Sequence, residues 1–197
     1  MAAPRTASRK RQTRETNIEL ELALDGTGRA EIATGLGFLD HMLTSLTLHS
    51  RIDLTLRCDG DRHVDDHHTV EDCAIALGEA LDEALGTREG IVRFAHAYAP
   101  LDEALARCVL DLAARPTACV ALALERESLG EVACENLTHF FRSLAMHGRF
   151  CLHVDVLRGE NDHHRVETAF KATALALRAA VTADGSRGPA STKGTLV

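Results

Sequence analysis

Buried-type positions in two stretches of the chain step by four and three, the spacing of one helix face. They run Val70, Ala74, Leu77, Leu81, Leu85, and again Val166, Phe170, Thr173, Leu177, Val181 with one polar member. Two further apolar-periodic helices are expected to open at His41, in Phe38-Leu39-Asp40-His41-Met42-Leu43, and at His139, in Leu137-Thr138-His139-Phe140-Phe141. Between the helices of each pair lies a segment of period-two alternation, Arg51 to Arg57 in the first and Phe150 to Val156 in the second. Each predicts a strand with one buried face. Strand signals also precede each pair, at Ile18 to Leu22 before Asp25-Gly26 and at Val109 to Leu112 before Arg115-Pro116. Asp25-Gly26 predicts a hairpin turn, because glycine tolerates a positive φ.

The two stretches are copies of one another. Asp66-His67-His68-Thr69-Val70-Glu71 and Asp162-His163-His164-Arg165-Val166-Glu167 lie 96 residues apart (67 to 163 and 71 to 167), and His41 and His139 lie 98 apart (41 to 139). Each half thus predicts hairpin, helix, strand, helix. The expected fold class is α+β: an internally duplicated two-layer sandwich, each half a mostly antiparallel sheet with helices on one face. The expected organisation is a disordered basic lead-in over 1–13, a first repeat over 14–90, a second over 91–183 and a C-terminal substrate-binding tail over 184–197.

Composition narrows the function classes. With 45% hydrophobic and 26% charged residues among 197, the chain is expected to fold around one sizeable core. No run approaches the roughly 18 consecutive apolar residues of a membrane span, and the N-terminus lacks the apolar stretch of a secretory signal. A soluble, cytoplasmic protein is expected. Arg5, Arg9, Lys10, Arg11 and Arg14 precede the first acidic residue, a pattern also found in nucleic-acid arms and transit peptides. The net charge of −7 despite this segment argues against nucleic acid as a partner. The six cysteines, Cys58, Cys73, Cys108, Cys119, Cys134 and Cys151, form no C-x-x-C pair, so reduced structural thiols are expected.

The repeated motif carries the chemistry. Residues four apart on a helix project from one side, so His67 with Glu71, and His163 with Glu167, can share an ion. His68 and His164 point about 100° away and are free to complete a second site. With His41 and His139 there are six imidazoles and two carboxylates, enough for two sites of three His and one Glu. A single such motif reads equally well as a solvated helix start, with Asp65 and Asp66 favourably placed at the positive end of the dipole; its recurrence in register favours metal. His63, His96 and His147 read as surface or packing residues. The donor set suits zinc, iron, nickel or manganese, and spacing alone leaves the ion open.

At these residues the chain resembles the imidazoleglycerol-phosphate dehydratase family. The likeness covers about Arg14 to Gly194: Arg14-Glu15-Thr16, Gly37 to Leu43, Asp66 to Asp72, Ala99-Pro100-Leu101-Asp102-Glu103, Phe140 to Ala145, Asp162-His163-His164 and Ser191-Thr192-Lys193-Gly194. The resemblance implies a ribosomal protein S5 domain 2-like fold and a lyase of histidine biosynthesis with two manganese ions per active site; a monofunctional chain is expected, since no additional phosphatase domain fits in 197 residues. It also implies a homo-24-mer whose sites lie at subunit interfaces. Its metal ligands map onto His41, His67, His68, Glu71, His139, His163, His164 and Glu167. One ion would take His67, Glu71, His139 and His164, the other His41, His68, His163 and Glu167. Glu15 resembles the family's acid/base residue, with His49 and Asp102 near the substrate; Arg93, Arg115, Ser191, Thr192 and Lys193 resemble its phosphate-binding group. Pro189 stands one residue before the place where the family has proline directly ahead of the serine.

The implied reaction turns imidazoleglycerol phosphate into imidazoleacetol phosphate and water. The substrate has no carbonyl to stabilise a carbanion, so the imidazole must act as electron source, passing through imidazolate and a diazafulvene, with Glu15 as the base. A dinuclear metallohydrolase and a metal-crosslinked structural shell would use the same ligands, but neither accounts for Glu15 together with the phosphate-binding residues.

Overall fold

The computed structural model describes residues 4–186, 188 and 190–196; Pro189 lies outside them. The first half runs β1 (Thr6–Gln12), β2 (Thr16–Ala23), β3 (Ala30–Ala33), α1 (Gly37–Ser50), β4 (Asp53–Gly60) and α2 (His67–Leu85). The second runs β5 (Phe94–Leu101), β6 (Ala104–Asp111), β7 (Thr117–Ala121), a small hairpin of β8 (Ser128–Leu129) and β9 (Val132–Ala133), α3 (Cys134–His147), β10 (Cys151–Arg158) and α4 (Asp162–Ala180). The sheet orders are β1-β2-β4-β3 and β5-β6-β10-β7, so the duplication extends to the topology. In each sheet three strands are antiparallel and the last, β3 or β7, joins in parallel. The chain is α+β with helices on one face of each sheet, as the alternation implies.

Two expectations are corrected. Of the lead-in expected to be disordered over 1–13, Thr6–Gln12 is a strand, paired along β2 from Thr6 opposite Ala23 to Gln12 opposite Asn17; residues 1–3 lie outside the described residues. The first repeat therefore begins at β1 and not at residue 14. Its basic side chains are taken up by the fold: Arg5 pairs with Asp25, Arg9 with Glu83, Lys10 with Glu19, and Arg11 with the buried Asp72. Asp25-Gly26 does not close a hairpin either. It starts a crossover that carries the chain past β4 to β3, and Asp53 Oδ1 holds that loop by accepting the N–H groups of Thr27, Gly28 and Arg29 at 2.7, 3.0 and 2.9 Å.

Packing follows the alternation. Thr16, Ile18, Leu20 and Leu22 point inward while Asn17, Glu19 and Glu21 face outward. The second sheet turns small residues inward, Ala99, Ala104, Ala106 and Cys108, which leaves room for Phe140, Phe141 and Phe170 on the helices. Each buried Phe contributes roughly 1.5–3 kcal/mol. Helices pair across the halves, α2 against α3 and α1 against α4. Gly78 permits the first of these contacts, since a Cβ there would lie 2.7 Å from Gly148 N and 2.8 Å from Leu144 O. Phe94, Tyr98 and Val109 stay exposed on the open face of the second sheet. All six cysteines are free thiols, and no helix among the described residues is long and apolar enough to cross a membrane.

Candidate metal centre

The two repeated motifs begin their helices in the same way. His67 N–H donates to Asp65 Oδ1, one residue ahead of the α2 cap Asp66, at 2.8 Å, and His163 N–H to Oδ1 of Asn161, the α4 cap, at 2.9 Å, so the same side-chain contact two residues upstream precedes both histidines of each pair in the first turn. The glutamate follows one turn later. Because α2 packs on α3 and α1 on α4, each His-Glu pair meets a histidine from the other half. His67, Glu71 and His139 form one triad and His41, His163 and Glu167 another; in each, the three donor atoms lie within 4.8 Å of one another. His139 Nε2 is 2.8 Å and His67 Nε2 3.7 Å from Glu71, and the two rings stack at 5.2 Å. His163 Nε2 is 3.3 Å and His41 Nε2 3.4 Å from Glu167. Metal–ligand bonds of roughly 2.0–2.2 Å allow one ion to span such a set. Two imidazoles and a carboxylate fit a divalent first-row ion in each place.

His68 and His164 join neither triad within the chain. Asp61 lies 3.0 Å from His68 Nδ1, and Glu103 lies 2.8 Å from His164 Nδ1. A carboxylate there accepts the ring N–H, fixes the tautomer and leaves the Nε2 lone pair free, the arrangement usual behind a metal-bound imidazole. These hydrogen bonds raise both imidazoles above their ordinary pKa. The Glu103 carboxyl is driven down to about 2, first by the backbone N–H of Asn161, then by His164 and Glu160 N–H.

The other expected residues fall into three places. Glu15, at the β1–β2 corner, has its carboxylate 3.6 Å from His68 Nε2 beside a hollow of about 310 Å³ lined by Arg14, Asp61 and His63. Asp102 occupies the matching β5–β6 corner, 3.9 Å from His164 Nε2. His49 lies on α1 near the second triad, where burial and then the Lys171 cation hold it below the usual imidazole value, against the pull of Glu167. Arg93 is buried, its guanidinium bonded to both oxygens of Asp111 and to the Ala190 carbonyl, with Arg115 3.9 Å from the same Asp111. Arg93 thereby anchors the tail bearing Ser191, Thr192 and Lys193, and Ser191 Oγ accepts Lys193 N–H at 3.2 Å.

This cationic cluster sits at the far end of α4 from the candidate metal ligands. Arg93 N–H donates to Ala180 O, the last residue of the helix, while His163 is in its first turn. At about 1.5 Å per residue the two places are roughly 25 Å apart.

Sequence reasoning missed Lys171, Asn136 and Asp61. Lys171 Nζ contacts Glu167 Oε1 at 2.7 Å; although burial opposes ionisation of Glu167, this cation and His41 keep its carboxyl below the ordinary value. The signal was present, since Lys171 follows Glu167 by four on the same helix face. Asn136 precedes His139 by three and lies behind His67, while Asp61, on the loop after β4, had no signal in the motif.

Residues 34–177 match the family described as imidazoleglycerol-phosphate dehydratase. A relative of that name from Phytophthora nicotianae is 56% identical over 98% of this chain, which spans 42% of that longer protein. One from Candida glabrata is 52% identical over 95% of this chain and 98% of its own length. The crystal structure of imidazoleglycerol-phosphate dehydratase from Staphylococcus aureus superposes with a TM-score of 0.82 at 36% identity, covering 90% of this chain and 99% of that one. With the family matched over most of its length and its sandwich shared, the chain belongs to the imidazoleglycerol-phosphate dehydratase family.

Proposed function

We propose that this chain dehydrates D-erythro-1-(imidazol-4-yl)glycerol 3-phosphate to 3-(imidazol-4-yl)-2-oxopropyl phosphate in histidine biosynthesis, using two manganese ions per active site. The observation that carries this is the pair of triads, each joining a His-Glu pair of one half to a histidine of the other. When bound, the ions supply Lewis-acid stabilisation of negative charge on the imidazole ring.

The chain's own residues divide the remaining work. His68 and His164, held outside both triads, complete the sites of a neighbouring copy through Nε2. Glu15 travels with His68, so the base arrives with the ligand and takes the carbon-bound proton at its carboxylate. Asp102 accompanies His164 in the same way, and His49 lines the second triad. Ser191, Thr192 and Lys193, with Arg115 and the anchoring Arg93, bind the phosphate.

A substrate on the order of 10 Å long cannot reach both a triad and a phosphate cluster roughly 25 Å away along α4 of one chain. The site is therefore composed of residues from several copies, in keeping with a 24-subunit shell in the cytoplasm. The exposed Phe94, Tyr98 and Val109 give such copies an apolar face to bury.

Protein reloaded with manganese and incubated with the substrate should form the ketone, read by product analysis. Release of inorganic phosphate instead would assign it to the hydrolases, and metal-driven assembly without turnover would leave it a structural shell.

A further inference from the structure

The two triads are built alike but supported differently. Behind His67, Nδ1 lies 2.9 Å from Asn136 Oδ1, and the orientation of that amide is fixed because its Nδ2 donates to Asp66 Oδ2 at 3.0 Å. An amide oxygen only accepts, so His67 carries its proton on Nδ1 and presents a lone pair at Nε2, toward Glu71. A ring held from behind in this way is a better donor and is already aimed. Among the described residues, no Lys or Arg lies within ion-pair distance of Glu71, whose ion-pair contacts are His67 and His139; Arg11 acts on it only from farther off, its guanidinium being paired with Asp72.

The α1–α4 triad lacks both supports. The repeat puts Phe38 where Asn136 stands, and its ring meets His163 edge-on at 5.2 Å and 77°; among the described residues no side chain hydrogen-bonds to His163 Nδ1. Lys171 takes the place of Ile75 and pairs with Glu167. Its ammonium draws charge from the carboxylate and sets a like charge beside any divalent cation bound there. His41 is exposed, whereas His139 is half-buried.

We infer that the two ion sites of each chain are unequal by at least about tenfold in affinity: the α2–α3 site is tight and held, the α1–α4 site weak and exchangeable, the scale being that of a lost outer-shell partner. At limiting manganese the protein then carries one ion per chain, and the ambient metal level sets occupancy of the second site and with it the fraction of complete active sites. The inference rests on the two-ion reading above.

The test uses the full chain loaded with manganese and equilibrated against graded chelator, with bound manganese measured by elemental analysis. The expected result is two ions per chain leaving in two steps at least about tenfold apart in free manganese. His41→Ala should delete only the weaker step and His139→Ala only the tighter. Lys171→Met, which keeps the apolar stem, should tighten the weaker step about tenfold. Asn136→Ala should loosen the tighter one by roughly 10–100-fold. Circular dichroism checks that the Asn136 variant is folded, and Lys171→Met carries the test independently. Two ions leaving in one step, or removal of the tighter step by His41→Ala, overturns the inequality while sparing the two-ion reading. A single ion at saturating manganese overturns both.

Discussion

The two halves agree in strand order, in the side-chain contact to the first histidine N–H of each His-His-x-x-Glu and in the crossing of helices, and they differ in what surrounds those shared parts. Glu15 stands at one hairpin corner and Asp102 at the other; Asn136 faces His67 where Phe38 faces His163; Lys171 follows Glu167 where Ile75 follows Glu71. Duplication supplied two copies of a candidate ligand set, which is what the proposed dinuclear centre needs. Substrate chemistry is directional, so the copies have to diverge outside the ligands. The second half also carries an added hairpin, β8–β9, where the first passes from β3 to α1 in three residues.

The sharpest way to separate the corners is to neutralise each. Glu15→Gln is expected to lower turnover by roughly 100-fold or more, the scale of lost acid/base catalysis, with manganese content unchanged. Asp102→Asn, at the corner whose carboxylate takes no proton in the proposed reaction, is expected to lower it by less than roughly tenfold. Steady-state kinetics with metal analysis on both variants decides it, and equal losses would mean that the corners share one job.

A smaller effect probes the helix contacts. Gly78→Ala puts a Cβ against the backbone of α3 and should destabilise the fold by about 1–3 kcal/mol, as overpacking does. The equivalent position on α4 is already the buried Ala174, so Ala174→Gly should cost only about 1 kcal/mol. Urea midpoints compare the two.

The smallest effect concerns the crossovers. Asp53 secures the first with three backbone N–H groups, and the matching residue beginning β10 is Cys151. Asp53→Asn keeps an acceptor but loses its charge, for about 1 kcal/mol. Hydrogen bonds from Arg29 and Thr27 lower the Asp53 carboxyl below its ordinary 3.8. The charge therefore contributes fully above that value, and the contribution is lost as pH falls through the lowered folded pKa. The gap between parent and variant in urea should be steady near about pH 6 and shrink below about pH 3.8.

Much of the site was legible because repetition substitutes for comparison. Two His-His-x-x-Glu sets in register mark candidate ligands that one copy would have left as an ordinary helix start. The long helices and the strands around Leu20, Leu54 and Val154 were legible from their periods. β3 and β7 were not, being four and five residues long with parallel partners far away in sequence. β1 was misread because its alternation is made of charged residues, whose pairing with Glu19, Glu83 and Asp72 appears only once β2 and α2 are in place.

By itself the sequence determined the duplication, the donor types and the helix face that carries each His-Glu pair, because helical geometry is local and fixes residues four apart. The tertiary structure decided which histidine joins which pair. Helix α1 crosses to α4 and α2 to α3, a choice set by long-range packing around Gly78 and the phenylalanine cluster, to which no local period refers. It also decided the unequal supports, for Asn136 comes behind His67 only through that crossing. His68 and His164 are held apart from the triads by Asp61 and Glu103, carboxylates from the loop after β4 and the β5–β6 corner. Those contacts join residues with no spacing rule between them, so folding alone brings them together.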